Sequence, residues 1–140
     1  MTSYFTLIAC RVISWMSCQQ KIVALSSTEA EYIALSNCSC QLVWTRNLLN
    51  EVSFNVPTLH IYGENLGSLF WGSKLIQEKC SKHIDICYHY IRDLIEDKQV
   101  KLYYIDRKEN PADILTKSLG QVLFSWLRDT LSSSACASIT

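Results

Sequence analysis

Hydrophobic and polar positions change their spacing several times along the chain, and each change marks a predicted element. Residues 4–10 and 12–16 are apolar and rich in strand-forming side chains, which is typical of two short strands in a hairpin. Residues 100–105 alternate and predict a strand, whereas residues 82–98 carry an apolar stripe at helical spacing. The predicted strands cover 4–10, 12–16, 57–63 and 100–105, and the predicted helices cover 26–51, 66–75, 82–98 and a last helix that opens at 110 and continues through 127.

Two helix starts are marked by capping residues. At the first, a hydroxyl can cap one free N–H while a carboxylate reaches back to another, and two pairings fit: Ser26 with Glu29, or Thr28 with Glu31. At the last helix, Asn110 is the expected N-cap and is followed by a proline, which suits the first helical position. The spacing leaves both pairings of the first helix open.

The element order β-β-α-β-α-α-β-α contains no repeat and no linker. It predicts one α/β or α+β domain over residues 1–131, followed by a frayed polar tail over residues 132–140. A length of 140 residues suits one domain, and 49% hydrophobic residues suffice for a core, which excludes intrinsic disorder for most of the chain.

Charge narrows the possible partners. Thirteen basic residues balance thirteen acidic ones, so no global electrostatic attraction draws the chain to nucleic acid or to a membrane. Nucleic-acid binding would need a local basic patch, and the strongest local excess lies in residues 74–83. The alternative interpretation of that segment is a solvated turn.

Cysteine content and the lack of targeting segments indicate the compartment. There is no run of about 18 apolar residues and no basic, apolar, small-residue sequence at the N-terminus, so neither a membrane span nor a secretory signal is expected. The cysteines number seven and lack metal-site spacing, which predicts reduced thiols. We therefore expect an intracellular protein, cytoplasmic or nuclear, that is not secreted.

Three acidic residues stand out by context. Glu31 falls in the first turns of the first long helix, Glu64 directly follows the third strand, and Asp113 falls in the first turn of the last helix. In α/β folds the carboxyl ends of strands commonly carry ligands, so these residues are candidates for a shared metal site. They are also consistent with capping and loop roles, and spacing alone leaves both interpretations open.

At these residues the sequence resembles the ribonuclease H domain of copia-type retrotransposon Pol polyproteins. Four segments agree in order and spacing, and the resemblance covers roughly residues 3–131. The segments are Ser14-Trp15, residues 23–35 (VALSSTEAEYIAL), residues 81–92 (SKHIDICYHYIR) and residues 110–117 (NPADILTK).

The resemblance implies a metal-dependent endonuclease that cuts the RNA strand of an RNA:DNA hybrid during reverse transcription. Two Mg²⁺ ions would stabilise the attacking and leaving oxygens and would be held by clustered carboxylates. The family uses four such acids. Its second maps to Glu31, with Glu29 as an alternative that is expected to face outward, its third to Glu64 and its fourth to Asp113.

The resemblance also implies a fold and partners. The ribonuclease H-like fold is a mixed sheet flanked by helices, with the first strand at its centre. The implied partners are an RNA:DNA hybrid and the reverse transcriptase portion of the same polyprotein. Three residues are candidate contacts to the hybrid: Lys82, His83 and Arg92.

Two departures from the family pattern predict a chain that is inactive by itself. The first acid and its central strand have no counterpart in the sequence, so we expect a domain truncated at its N-terminus. The third acid is Glu64 instead of Asp, and one methylene moves a carboxylate by about 1.5 Å, a displacement that can reduce rate about 10²-fold. Without the central strand, the hairpin either pairs directly with the third strand or leaves backbone groups unpaired.

Two other functions remain open from the sequence. The fold could be a non-catalytic module that binds nucleic acid or protein, or the chain could be a non-functional transposon relic. An in-frame strand with an Asp encoded just upstream would favour the nuclease.

Overall fold

The computed structural model describes residues 1–9, 11–21, 23–56, 58–73 and 82–132. Within these ranges the elements follow the predicted order, with one short 3-10 helix in addition, and the fold class is α+β as predicted. The strands are β1 (Thr2–Ile8), β2 (Arg11–Cys18), β3 (Leu59–Gly63) and β4 (Val100–Tyr104). The helices are α1 (Ser27–Glu51), α2 (Leu66–Ser73), α3 (Lys82–Glu96), the 3-10 helix η1 (Pro111–Leu115) and α4 (Gln121–Ser132).

Parts of the sequence predictions fall outside the described residues. These parts are most of the predicted tail, over 133–140, the end of the predicted helix 66–75, and most of the basic segment 74–83.

β1 and β2 form the predicted antiparallel hairpin. β1 lies two residues closer to the N-terminus than predicted, and β2 is longer than predicted. The hairpin turn has no Gly or Asn, and Ala9 adopts the positive φ of 49° that such residues usually supply. A register shift between Thr6 and Leu7 increases the local twist of the hairpin.

The start of α1 decides between the two predicted capping boxes. The Ser26 side chain accepts a hydrogen bond from the Glu29 backbone N–H at 3.1 Å, and the Glu29 carboxylate accepts one from the Leu25 N–H. The prediction that Glu29 faces outward is wrong, since only 7% of it is exposed. Buried capping by Glu29 leaves Glu31 as the acidic residue on the exposed side of this turn.

β3 and β4 form a parallel pair in which Leu59 lies beside Val100 and Ile61 lies beside Leu102. The core lies between this pair and the helices α1 and α3. Its best-buried members are apolar side chains that each of these elements directs inward: Tyr32, Leu35, Cys38, Leu59, Ile61, Ile91, Leu94 and Val100. The core thereby fixes the carboxyl ends of β3 and β4 relative to the start of α1.

The four described strands form two separate two-stranded sheets, β1-β2 and β3-β4. Helix α1 packs against both β1 and β3, and Tyr4 of β1 reaches the core that β3 and β4 share. In the part of the chain that the structure describes, the hairpin thus does not pair with β3. Of the two outcomes expected without a central strand, direct pairing of the hairpin with β3 is therefore not the one observed.

The expectation of one continuous last helix is wrong. Asn110 caps a single 3-10 segment, and its side chain accepts a hydrogen bond from the Ala112 N–H at 3.1 Å. The segment ends at Leu115, and the Thr116 backbone N–H and hydroxyl both donate to the Asp113 carbonyl at this end. α4 begins only after Gly120, whose carbonyl accepts from the Phe124 N–H.

Cys18, Cys38, Cys40 and Cys87 are free thiols. Burial raises the pKa of Cys38 to about 12, which agrees with its predicted role as a small core residue. Among the described helices, none combines the length and the apolar character needed to cross a bilayer.

Candidate acidic site

An open cleft of about 470 Å³ lies at the carboxyl end of β3, beside the start of α1. Glu64 directly follows β3, and Glu31 projects from the second turn of α1, so both predicted acids line this cleft. Parallel strands end at the same edge of a sheet, which brings the loop after β4 to the same place. The cleft is lined by Ser27, Glu31, Glu64, Asn65, Leu66, Gly67, Tyr104 and Arg107.

The start of α2 forms one wall of the cleft. The Asn65 side chain accepts from the Ser68 N–H at 3.1 Å and caps the helix. A Cβ at Gly67 would lie 3.0 Å from Asn65 Oδ1 and 3.2 Å from Thr28 Cγ2. Glycine at this position therefore permits the close approach of α2 to the start of α1.

Glu64 is held by two polar partners from the segment that follows β4. Asn110 Nδ2 donates to Glu64 Oε2 at 3.2 Å, and Arg107 Nε lies 3.8 Å from Glu64 Oε1. The Asn110 side chain also caps η1 through Ala112. One amide thus connects the Glu64 loop to the short helix that carries the third predicted acid.

Asp113 lies on η1, and its side chain is mostly covered. Lys117 Nζ lies 2.6 Å from Asp113 Oδ2. The Ser17 hydroxyl of β2 donates to the Leu115 carbonyl at 2.9 Å, which fixes η1 against the hairpin. Asp113 is therefore positioned by contacts to both the hairpin and the following loop.

The pKa of the Glu31 carboxyl is affected by both other acids. Partial burial raises the pKa of its carboxyl, and the negative charges of Glu64 and Asp113 raise it further. The Met1 ammonium and Arg107 act in the opposite direction. Because Coulomb interactions fall off with distance and are screened by water, Glu64 and Asp113 lie close enough to Glu31 to affect its pKa.

The donor chemistry of the acids suits Mg²⁺, but their arrangement does not. Carboxylate oxygens are the ligands that this ion prefers. Over the described ranges, however, no three His, Cys, Asp or Glu side chains group closely enough to hold a metal ion. Two of the three acids already have a cationic partner, Arg107 or Lys117. The residues present therefore do not fit the implied metal pair.

The predicted hybrid contacts lie on α3, away from the cleft lining. Lys82 and His83 begin this helix, and their side chains lie outside the described part of the structure. Arg92 Nε lies 3.5 Å from Glu96 Oε1, and Arg92 Nη2 lies 3.3 Å from His89 Nδ1. The Arg92 guanidinium is thus engaged within its own helix.

Sequence reasoning missed the cationic and polar partners of the acids, Arg107, Asn110 and Lys117. Asn110 was assigned only as a helix cap. For Arg107 a pattern was available, since it follows β4, whose carboxyl end adjoins that of β3 in a parallel pair. For Lys117 the spacing from Asp113 is the i,i+4 spacing of helical ion pairs.

Comparisons with known proteins identify several similar Pol polyproteins of plant transposons. The chain is 36% identical over 116 residues, or 83% of its length, to the retrovirus-related Pol polyprotein from transposon TNT 1-94 of Nicotiana tabacum. It is 36% identical over 114 residues to the corresponding polyprotein from transposon RE2 of Arabidopsis thaliana, and 35% identical to that from RE1. It spans only 9%, 8% and 8% of these three proteins, respectively.

No protein-family model matches the chain. No solved structure matches it significantly either. The similarity therefore relates this chain to a small segment of transposon Pol polyproteins.

Proposed function

We propose that this chain is the ribonuclease H-like segment of a copia-type Pol polyprotein, with Glu31, Glu64 and Asp113 as three of its catalytic acids. One observation carries the proposal. Glu31 and Glu64, from segments that are distant in the sequence, line a common cleft at the end of β3, and the Asn110 side chain bonds to Glu64 and caps the short helix that carries Asp113. Clustered carboxylates are the feature that two-metal cleavage of a phosphodiester requires.

By itself the chain is inactive in this proposal. Arg107 and Lys117 neutralise Glu64 and Asp113 where a nuclease would hold Mg²⁺. The longer side chain of Glu64 places its carboxylate about 1.5 Å from the position of an aspartate. The remaining acid, the first of the family's four, would come from a polyprotein segment that pairs between β1 and β3.

The test is cleavage of a labelled RNA:DNA hybrid in Mg²⁺ buffer. We expect the purified chain to show no cleavage above background. Fusion to the preceding polyprotein segment together with Glu64→Asp is expected to produce cleavage, because the first change supplies a ligand and the second corrects the reach. Asp113→Asn in the repaired protein is the matched control and should abolish it.

Two results would contradict this proposal: the first contradicts the expected inactivity of the chain, and the second contradicts the nuclease assignment. Robust cleavage by the unmodified chain that is lost in Asp113→Asn would show that the three acids suffice. Absence of cleavage after both repairs, with a folded protein, would reject the nuclease.

The ion pairs at the cleft favour a second candidate, a non-catalytic binding module. In that role Arg107 and Lys117 would stabilise the loops around Glu64 and Asp113 permanently. Hybrid binding without cleavage in the repaired protein would support it.

A further inference from the structure

The outer face of the β3-β4 pair carries side chains that the core does not use. Residues on each strand alternate, and Leu59, Ile61 and Val100 point into the core. The intervening residues are therefore on the opposite face, where His60 lies beside Lys101 and Tyr62 lies beside Tyr103. We call these four residues the aromatic face.

Three rings of the aromatic face form a connected cluster. The rings of Tyr62 and Tyr103 are stacked, with centroids 5.2 Å apart and planes inclined by 24°. The His60 ring meets Tyr103 edge-on at 5.3 Å. Tyr62 is 40% exposed and Tyr103 is 37% exposed, so part of each residue remains open to solvent.

Basic side chains border this cluster on the side of β4. Lys98 and Lys101 line an open groove of about 310 Å³ together with Tyr103, and apolar side chains of α3 and β4 form its floor. In the part of the chain that the structure describes, neither lysine forms an ion pair. The nearest acids along the chain, Glu96 and Asp97, contact Arg92 and Gln99.

Cross-strand packing explains why the rings touch each other, but it does not explain unpaired cations beside exposed rings. Unpaired bases stack on exposed aromatic side chains, and lysines beside them neutralise the phosphates. A docked protein helix would need a wider apolar surface than two tyrosines beside two lysines provide. In a base-paired duplex the faces of the bases are already stacked on each other and cannot stack on the tyrosine rings.

We propose that the aromatic face binds single-stranded nucleic acid, with bases stacked on Tyr62 and Tyr103 and phosphates neutralised by Lys98 and Lys101. The proposed binding site lies apart from the acidic cleft, whose lining includes neither the two tyrosines nor the two lysines. Since the chain carries no net charge, binding depends on this local arrangement and is sensitive to salt. The proposal does not rest on the nuclease assignment.

The experiment measures fluorescence anisotropy of a labelled oligo(dT) of roughly 12 nucleotides, a length within the site size of known single-strand binding folds. Tyr103→Val and Tyr62→Val retain a strand-forming side chain and remove the ring, and each should weaken binding about tenfold. Tyr103→Phe keeps the ring and should bind like the unmodified chain. Lys101→Ala should reduce the slope of log affinity against log salt by about 1.

Matched controls come from exposed residues elsewhere. Phe54→Val removes an exposed ring beyond the end of α1, and Lys21→Ala removes an exposed lysine after the hairpin. Both should leave oligonucleotide binding unchanged. Circular dichroism spectra and Tm values of all variants check that the fold is retained.

Photo-crosslinking of the unmodified chain to an oligonucleotide containing 5-iodouracil gives a readout that needs no variant. Crosslinks at Tyr62, Tyr103 or His60 are the expected result. Crosslinks confined to other residues would overturn the proposal, as would equal losses of affinity in Tyr103→Val and Phe54→Val. Absence of an anisotropy change at low salt would also overturn it, whether or not the chain binds a protein. A duplex of the same sequence that loses affinity in Tyr103→Val as strongly as the single strand would contradict base stacking.

Discussion

At the residue scale, Glu31 links the stability of the fold to pH. Burial and the charges of Glu64 and Asp113 raise its pKa above the ordinary value of 4.5. Between the unfolded and the folded pKa the native state binds more protons than the unfolded state, so stability falls as pH rises through this range. The charged form of Glu31 is therefore unfavourable to folding at neutral pH.

Glu31→Gln should remove this effect. At pH 7 and low salt we expect the free energy of unfolding to rise by up to about 1 kcal/mol, because the charges are partly screened by solvent. Below pH 4.5, where the carboxyl is protonated in both states, the difference should vanish. Urea denaturation at both pH values measures it. Glu109→Gln, at an exposed position after β4, is the control and should leave the free energy of unfolding unchanged at both pH values. A destabilised Glu31→Gln protein at pH 7 would contradict the argument.

The N-terminal cap of α1 shows which features could not be predicted from the sequence. Ser26 with Glu29 and Thr28 with Glu31 satisfy the same spacing, so no pattern along the chain could choose between them. The choice is made by tertiary structure: the first pair buries Glu29 as a cap and leaves Glu31 on the cleft side. The identity of the cleft acid thus follows from which residue caps the helix.

At the element scale, the cap of α1 is a prerequisite for the site. The Ser26 hydroxyl satisfies the Glu29 N–H, and the Glu29 carboxylate satisfies the Leu25 N–H. Loss of this cap would fray the turn that carries Glu31, because the first N–H groups of a helix have no partner within it.

Ser26→Ala should lower the free energy of unfolding by about 1 kcal/mol, the usual effect of removing a serine N-cap. Ser27→Ala, at the adjacent exposed position inside the helix, is the matched control and should have a much smaller effect. Thermal or urea unfolding measures both. Equal destabilisation by the two substitutions would show that the hydroxyl of Ser26 does not act as a cap.

Elements with strong periodicity were predictable, and a short irregular element was not. The apolar stripe of α3 and the alternation of β4 gave correct elements because burial on one face dictates their pattern. Asn110 and Pro111 correctly indicated a helix start but not its length. The segment ends at Leu115, where the Thr116 hydroxyl and N–H donate to the Asp113 carbonyl, and no pattern along the chain marks this end.

At the scale of the whole molecule, the meeting of Glu31 and Glu64 at one cleft was foreseeable, whereas the individual contacts that the loop after β4 makes with Glu64 were not. The rule that ligands gather at the carboxyl ends of parallel strands applies once β3 and β4 are recognised as neighbours. The contact of Arg107 with Glu64 depends on the path of the loop after β4, which no periodicity encodes. The same holds for the hydrogen bond from Asn110 to Glu64.

The described strands are divided between two small sheets, and this division is consistent with a missing central strand. β1 pairs with β2 and β3 pairs with β4, and α1 packs against both sheets. In the ribonuclease H-like assignment a further strand lies between β1 and β3, where it would restore backbone hydrogen bonds on both edges. Two strands with a third between them lie about 9.6 Å apart, which is twice the usual spacing.

Hydrogen–deuterium exchange of the chain alone and of the chain fused to its preceding polyprotein segment tests this arrangement. In the fusion, amides of β1 and β3 that have no partner strand in the chain alone should exchange on the order of tenfold more slowly, because pairing protects them from solvent. Amides that already join β1 to β2 serve as the internal control and should change less. Unchanged exchange in β1 and β3, in a fusion that is otherwise folded, would argue against a shared central strand and therefore against the ribonuclease H-like assignment itself.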